Sequence, residues 1–227
     1  MKIWAISDSH CFENDYKVPS DIDVVIFCGD ESNNRLSYIN EHEFNNWFYW
    51  FANLNIKHKL YIPGNHSTYV YEHENYIKSL FLRNNIIWMH NEERIINGIK
   101  FYGCGMSPKY GNWVYMSDRD KINKYWNAIP DDTNVLMTHT PPKGIMDVTD
   151  EPKTNMYKLV GCSALRKRIN NLTRLKLHCF GHIHDTREII NTGLLYRRGV
   201  YYTNCSGVTD REFSRGITYN GSIIEIF

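Results

Sequence analysis

Seven side chains suited to binding divalent metal stand at five points in a chain of 227 residues. Asp8 and His10 lie in Asp8-Ser9-His10, Asp30 in Gly29-Asp30 and Asn65 in Gly64-Asn65-His66. His139 stands alone, and His182 and His184 lie in Gly181-His182-Ile183-His184. Neutral imidazole and carboxylate are natural ligands for such ions. One residue separates Asp8 from His10 and His182 from His184, so each pair leaves an extended segment on one side. The glycines before Asp30, Asn65 and His182 permit tight turns and close backbone approach. Seven ligands are too many for one ion and fit two ions that share a carboxylate. Singly the signals are weak: Asp-x-His means little, Gly-Asn-His is a turn, and only Gly-His-x-His has force alone. Their joint occurrence, each where a strand runs out, carries the metal reading.

The elements that must position these residues are read from apolar runs. Residues 1–7 and 23–28 are too continuously apolar to be half-exposed and read as strands covered on both faces. Residues 59–62, 135–138 and 175–180 are further strands, so five strands end at the five points. Ligand sites in open α/β sheets lie at such carboxyl ends. Phe44, Trp47, Phe48, Phe51 and Leu54 recur at helical spacing within 41–54. Helices are also expected over 71–83, 118–128 (with Ser117 or Asp118 as N-cap) and 162–171, and a strand over 86–89. Asn97-Gly98 marks a hairpin within 94–105. The C-terminal part reads as short strands at 187–190, 199–204, 216–219 and 222–227, with Asn220-Gly221 as the turn joining the last two. The order predicts an α/β fold of two stacked mixed β-sheets flanked by helices, in one domain spanning 1–227.

Composition restricts the partners. Lys and Arg number 26 and Asp and Glu 25, for a net charge of +1, with 42% apolar and 22% charged residues. No single-sign field draws the whole molecule onto DNA or an anionic membrane. No apolar run reaches the ~20 residues that span a bilayer, and the N-terminus shows neither an h-region nor a cleavage site. The six cysteines, Cys11, Cys28, Cys104, Cys162, Cys179 and Cys205, include no CxxC pair. They read as reduced thiols of a cytoplasmic protein rather than a disulfide framework or a zinc site. The 24 asparagines, alongside plentiful Ile, Lys and Tyr, fit codon bias from an AT-rich genome.

The five motifs together resemble the calcineurin-like metallophosphoesterase superfamily, whose pattern is D-x-H, GD, GNH followed by Asp or Glu, a lone His, and GHxH. Stretches 126–133 and 138–147, with Val160-Gly161-Cys162 and Leu165, resemble its small branch related to cyclic-nucleotide phosphodiesterases. The resemblance implies the family's four-layer fold and two divalent ions. One would be held by Asp8, His10, Asp30 and His184, the other by Asp30, Asn65, His139 and His182, with Asp30 as the bridge. It implies hydrolysis of a phosphoester by a metal-bridging hydroxide, with Asn65 and His66 at the substrate and His66 assisting the leaving group. Such ions lower the pKa of bound water and stabilise the charge of an in-line displacement. The ligands, free of Cys, suit Mn²⁺ first, with Fe²⁺, Ni²⁺ and Zn²⁺ as alternatives.

Ser67 departs from the pattern, since the family has Asp or Glu there. A hydroxyl can orient His66 but favours its protonated form only weakly, so a more acidic optimum is expected. Glu72 and Glu74 are the candidates for a carboxylate supplied from elsewhere. His42, His58, His73, His90 and His178 lack partner spacing and read as surface or packing residues. Asn33, Arg35, Tyr110 and Trp113 fall in or after loops near the expected mouth, as substrate contacts or as ordinary exposed residues. Without a capping domain or a basic stripe for a nucleic-acid backbone, the expected partner is a small phosphoester, a nucleotide diester first. No stable nucleic-acid or membrane partner is expected, and the sequence leaves the oligomeric state open. The alternatives are a phosphomonoesterase acting on nucleotides or phosphoproteins, and a non-catalytic scaffold that kept the fold. Intact ligand positions and His66 weigh against the scaffold.

Overall fold

The computed structural model describes residues 1–151, 156–186, 188–210 and 216–226. Its elements begin with β1 (Lys2–Ile6), β2 (Val24–Phe27), α1 (Ser37–Ala52), β3 (His58–Tyr61), α2 (Thr68–Glu72), α3 (Glu74–Arg83) and β4 (Ile86–Trp88). Next come β5 (Glu92–Ile96), β6 (Ile99–Cys104), β7 (Ser107–Pro108), β8 (Met116–Ser117), α4 (Asn123–Asn127) and β9 (Val135–Thr138). The last are β10 (Val148–Glu151), β11 (Met156–Leu159), α5 (Ser163–Ile169), β12 (Leu177–Phe180), β13 (Gly193–Arg197), β14 (Val200–Asn204) and β15 (Ser222–Glu225).

Alternation along the apolar strands sets the layers. In the first sheet, ordered β15-β1-β2-β3-β4, strands β1 to β4 are parallel and β15 is antiparallel to β1. Ile3, Ala5, Val24 and Ile26 point to one face and meet Phe101, Val135, Met137 and Leu177 of the second sheet, ordered β13-β14-β12-β9-β6-β5. Trp4, Val25 and Phe27 point to the other face, where Phe44, Trp47 and Phe51 of α1 and Phe81 of α3 cover them. On the far side Tyr102, Leu136 and Phe180 pack on Trp126 of α4 and on Leu165 and Ile169 of α5. The result is helix, sheet, sheet, helix, with both sheets mixed, as expected. No helix among the described residues is long and apolar enough to cross a membrane.

Several local expectations are corrected. The helix expected over 71–83 starts earlier and breaks at His73 into α2 and α3, and that over 118–128 shortens to α4 behind a turn closed on Asp118 O. Neither Ser117 nor Asp118 is its N-cap, which is Ile122. Residues 216–219 form no strand. The 222–227 segment therefore has no hairpin partner there; as β15 it pairs with β1 across nearly the whole chain. A first strand cannot signal that in local sequence. Residues 188–190 are not a strand, Arg187 and Phe227 lie outside the described residues, and the edge strand is β13 instead. The Asn97-Gly98 turn is as expected, with φ of 50° and 79° between β5 and β6. All six cysteines are free, five of them buried.

His178 is a packing residue with a consequence. Thr138 Oγ1 donates to Thr140 O at 2.7 Å, so it accepts from His178 Nε2 at 2.8 Å. Nδ1 is then the bare nitrogen, and it finds no hydrogen-bond partner among the described residues. Burial pushes this imidazole down to about 3. The unfolded chain therefore binds a proton that the fold refuses, and the stability contribution present above pH 6.5 is lost as the pH falls towards 3. His178→Gln keeps a donor for Thr138 and removes the titration. Denaturant unfolding at pH 7.5 and pH 5 should show a smaller acid loss in this variant, by on the order of one to two kcal/mol. Equal losses would show that His178 does not contribute.

Candidate metal centre

Each expected ligand follows the end of a strand. Asp8 and His10 follow β1, Asp30 follows β2, Asn65 and His66 follow β3, His139 follows β9, and His182 and His184 follow β12. β1, β2 and β3 are parallel neighbours in one sheet, and β9 and β12 in the other, so their carboxyl ends form one rim. The backbone there is unusual. Asp8, His10, Asp30 and His182 have φ of 51°, 44°, 58° and 73°, in the left-handed region that costs about 1–2 kcal/mol per non-glycine residue. Such conformations persist only where the surroundings over-determine them, and they cluster at functional sites. Gly181 could not be otherwise, because a Cβ there would stand 2.0 Å from Asp8 Oδ2. A Cβ on Gly64 would stand 2.2 Å from Asp30 Oδ1.

Two clusters result: Asp8, His10 and His184, and Asp30, His139 and His182, each with its ligand atoms within 4.8 Å of one another. Asn65 joins the second, its Oδ1 lying 3.0 Å from His139 Nε2. Asp8 and Asp30 are buried, as are His10 and His139. The expected sets are thus assembled, except that Asp30 clusters with the second and not with the first.

Backbone and side-chain acceptors fix which imidazole nitrogen faces inward. His10 Nδ1 lies 3.0 Å from Ser32 O, His139 Nδ1 2.8 Å from Cys28 O and His184 Nδ1 3.0 Å from Asp210 Oδ1. Each Nδ1 therefore carries the proton, and in the neutral ring Nε2 offers a lone pair. His139 Nε2 then faces Asn65 Oδ1, Asp30 Oδ2 at 3.1 Å and His182 Nδ1 at 3.1 Å. His184 Nε2 faces Asp8 Oδ1 at 3.2 Å, and His10 Nε2 faces the same oxygen at 3.9 Å. Oxygen and imidazole lone pairs converging like this repel unless a cation or a proton lies among them. The donor set, His, Asp and Asn without Cys, fits divalent first-row ions.

The electrostatics of the bare protein agree. Burial alone would lower His139 and would raise Asp30. Their mutual attraction instead holds His139 up at about 9 and Asp30 well below the carboxylate range. Burial likewise works against His184, but hydrogen bonds to Asp210 and Asp8 carry it to about 10, and His184 holds Asp8 down. His10 and His182 go the other way, to about 3, through burial and then the neighbouring charges of His66 and His139 respectively.

His66 stands beside the clusters. Its N–H donates to Asp30 Oδ1 at 2.7 Å, its Nδ1 lies 2.8 Å from Asn33 O, and its ring meets that of His10 edge to face at 4.9 Å. Neither Glu72 nor Glu74 replaces the carboxylate absent at Ser67. Glu72 accepts from Ser37 Oγ, while Glu74 takes Lys78 and Tyr115. The nearby acid is Glu31. It is fully buried and accepts from Ser67 Oγ at 2.9 Å and Tyr61 OH at 3.0 Å, and burial raises it to about 7. Ser67 Oγ also accepts from Gly64 N at 2.9 Å, which closes the turn that carries Asn65 and His66. The only sequence signal was an acidic residue directly after Gly29-Asp30. Asp210 and Ser206, whose hydroxyl donates to Asp8 Oδ2 at 3.1 Å, gave none.

The site opens into a cavity of about 530 Å³ lined by His10, His66 and His184 and also by Tyr110, Arg119 and Lys158. Tyr110 OH lies 3.5 Å from Asn65 Nδ2, and Trp113 stacks on His66. His42 and His73 are exposed, His58 and His90 half-buried, and none of the four belongs to either cluster.

Comparison with known proteins agrees with this geometry. A Caenorhabditis elegans protein named as a UPF0046 protein is 30% identical over 207 residues, covering 85% of this chain and 67% of its own. Human metallophosphoesterase domain-containing protein 1 is 28% identical over 211 residues, or 83% of this chain. This chain spans only 62% of that human relative's length. Among solved structures, phosphopantetheinyl hydrolase from Mycobacterium tuberculosis shares the fold, with a TM-score of 0.61 at 14% identity over 98% of this chain and 95% of that one. A model of the calcineurin-like phosphoesterase family matches residues 1–186. The chain belongs to the calcineurin-like phosphoesterase family.

Proposed function

We propose that residues 1–227 work as one domain that hydrolyses small phosphoesters, a nucleotide phosphodiester first, with two divalent metal ions, Mn²⁺ by preference. The observation that carries this reading is the pair of adjacent clusters converging their lone pairs at the floor of an open cavity. Asp8, His10, Asp30 and His184 would hold one ion, and Asp30, Asn65, His139 and His182 the other. When bound, such ions neutralise phosphoryl oxygens and lower the pKa of coordinated water. The cavity, about 530 Å³, is in the range that takes a small ligand.

The chain's own residues do the rest. His66 is held by Asn33 O at Nδ1, which leaves Nε2 as the end that meets substrate. The oxygen of a water that has given up one proton to solvent bonds to phosphorus and the ester P–O bond breaks. The departing oxygen leaves with the electron pair and takes the Nε2 proton of doubly protonated His66, whose Nδ1 proton stays hydrogen-bonded to Asn33 O. The neutral ring regains its proton from solvent. Asp30 fixes the backbone of His66 while facing His139, so one carboxylate couples the proton donor to the metal ligands. Acceptors behind His10, His139 and His184 hold a proton on each Nδ1 and aim Nε2 inward.

Metal-reconstituted protein assayed with bis-p-nitrophenyl phosphate, p-nitrophenyl phosphate and 2′,3′- and 3′,5′-cyclic nucleotides should turn over diesters. Asp30→Ala should abolish turnover, and His66→Ala should lower kcat by about 10²–10⁴. Monoester-only turnover would replace the diester reading, and no turnover with Mn²⁺, Ni²⁺ or Fe²⁺ would leave a scaffold.

The Glu31–Ser67 contact changes how the role of Ser67 has to be tested. Both residues are fully buried, so Ser67→Asp sets one carboxylate against another. The single variant should lose stability, and adding Glu31→Gln should restore it, with a coupling energy of about 1 kcal/mol or more in a double-mutant cycle of denaturant unfolding. Additive effects would mean that Glu31 does not hold Ser67. The double variant is then the background in which a carboxylate after His66 should move the kcat optimum to higher pH.

A further inference from the structure

His66 is the middle of a stack of rings. On one side stands His10, edge to face at 4.9 Å; on the other lies the indole of Trp113, with ring centroids 3.8 Å apart and planes inclined by 34°. The guanidinium of Arg35 covers the far side of the indole, 3.7 Å from its centroid. Trp113 does not reach His66 on an idle loop. Residues 109–115 leave β7 and return through β8, and Ser107 N to Tyr115 O at 2.9 Å and Lys109 N to Ser117 O at 2.8 Å close the neck. Tyr115 OH ties the base of the loop to Glu74 on α3. The same loop sets Tyr110 against His182, with ring centroids 5.5 Å apart. One clamped loop thus delivers an aromatic to each side of the clusters.

The geometry points to Trp113 as the positioning residue of His66, with Arg35 holding the indole in place. Two other contacts restrain the ring, the hydrogen bond from Nδ1 to Asn33 O and the edge-to-face approach of His10. Neither lies flat against the imidazole, and an indole face at contact distance limits its tilt and so fixes where Nε2 points. Stacking suits the task, since it orients the imidazole in both protonation states without occupying either nitrogen. The sequence showed Arg35 and Trp113 only as loop residues near the mouth, because the stack joins two loops distant in sequence. The inference rests on the reading of His66 as the proton donor to the leaving group.

A donor matters more as the leaving oxygen becomes more basic, so the test compares the p-nitrophenyl and phenyl esters of thymidine 5′-monophosphate. These share a scaffold and differ in the leaving group. In Mn²⁺-reconstituted protein, Trp113→Ala should lower kcat about tenfold to a hundredfold on the phenyl ester and less than about threefold on the p-nitrophenyl ester. Trp113→Phe should recover most of the loss. His66→Ala should show the same split more strongly. If His66→Ala shows no split, the reading of His66 fails and the inference falls with it. If His66→Ala shows it while Trp113→Ala lowers both esters equally or neither, Trp113 has no positioning role. A second readout needs no turnover. The His66 ring protons should carry a ring-current NMR shift in the wild type that disappears in Trp113→Ala and persists in Trp113→Phe. Ring protons that keep their shift in the alanine variant would overturn the stack itself.

Discussion

Two carboxylates, Asp8 and Asp30, are buried where two β-sheets meet, and the rest of the site follows from how their charge is balanced. An ionised carboxylate removed from water costs several kcal/mol unless it is paired and hydrogen-bonded. Both carboxylates follow strands of the first sheet, and three of their histidine partners follow strands of the second. His182 N and His184 Nε2 reach Asp8, and His139 Nε2 reaches Asp30. The rim therefore couples the two sheets electrostatically, above the apolar layer that joins them. It also explains the backbone: left-handed residues at Asp8, Asp30 and His182, and no room for a Cβ at Gly64 or Gly181, are what such close approach demands.

The division of labour follows from where each group is anchored. Ligands of both clusters stand directly after covered strands, with acceptors behind the histidines that fix their tautomers, so they are rigid by construction. Other groups that line the cavity stand on less covered segments: Tyr110 between β7 and β8, Arg119 after β8, and Lys158 on the exposed strand β11. Loops on a fixed scaffold are where specificity is set. Family membership accordingly speaks to the rigid part.

The legible part of the molecule was the part governed by local rules. Unbroken apolar runs gave β1, β2, β3, β9 and β12, and the turn after each held the ligand, because a covered strand has to end at a turn and the turn carries the chemistry. The unread part depended on distance in sequence. Nothing in 222–227 announces β1 as its partner, so a local hairpin was expected and a long-range pairing found. His73 interrupts an otherwise continuous helical pattern. Ser67 looked like a lost carboxylate until Glu31, on another loop, proved to be its hydrogen-bond partner. Asp210 behind His184 and Trp113 against His66 are likewise contacts between segments that no spacing relates.

Under the proposed function the converging lone pairs hold two divalent ions, with Asp30 common to both. Calorimetric titration of metal-free protein with Mn²⁺, alongside Asp30→Ala and Asp8→Ala, tests it without reference to any substrate. Two ions per chain are expected in the wild type, with the loss or severe weakening of both in Asp30→Ala and one retained ion in Asp8→Ala. A single ion in the wild type, or two ions still bound tightly by Asp30→Ala, would contradict it.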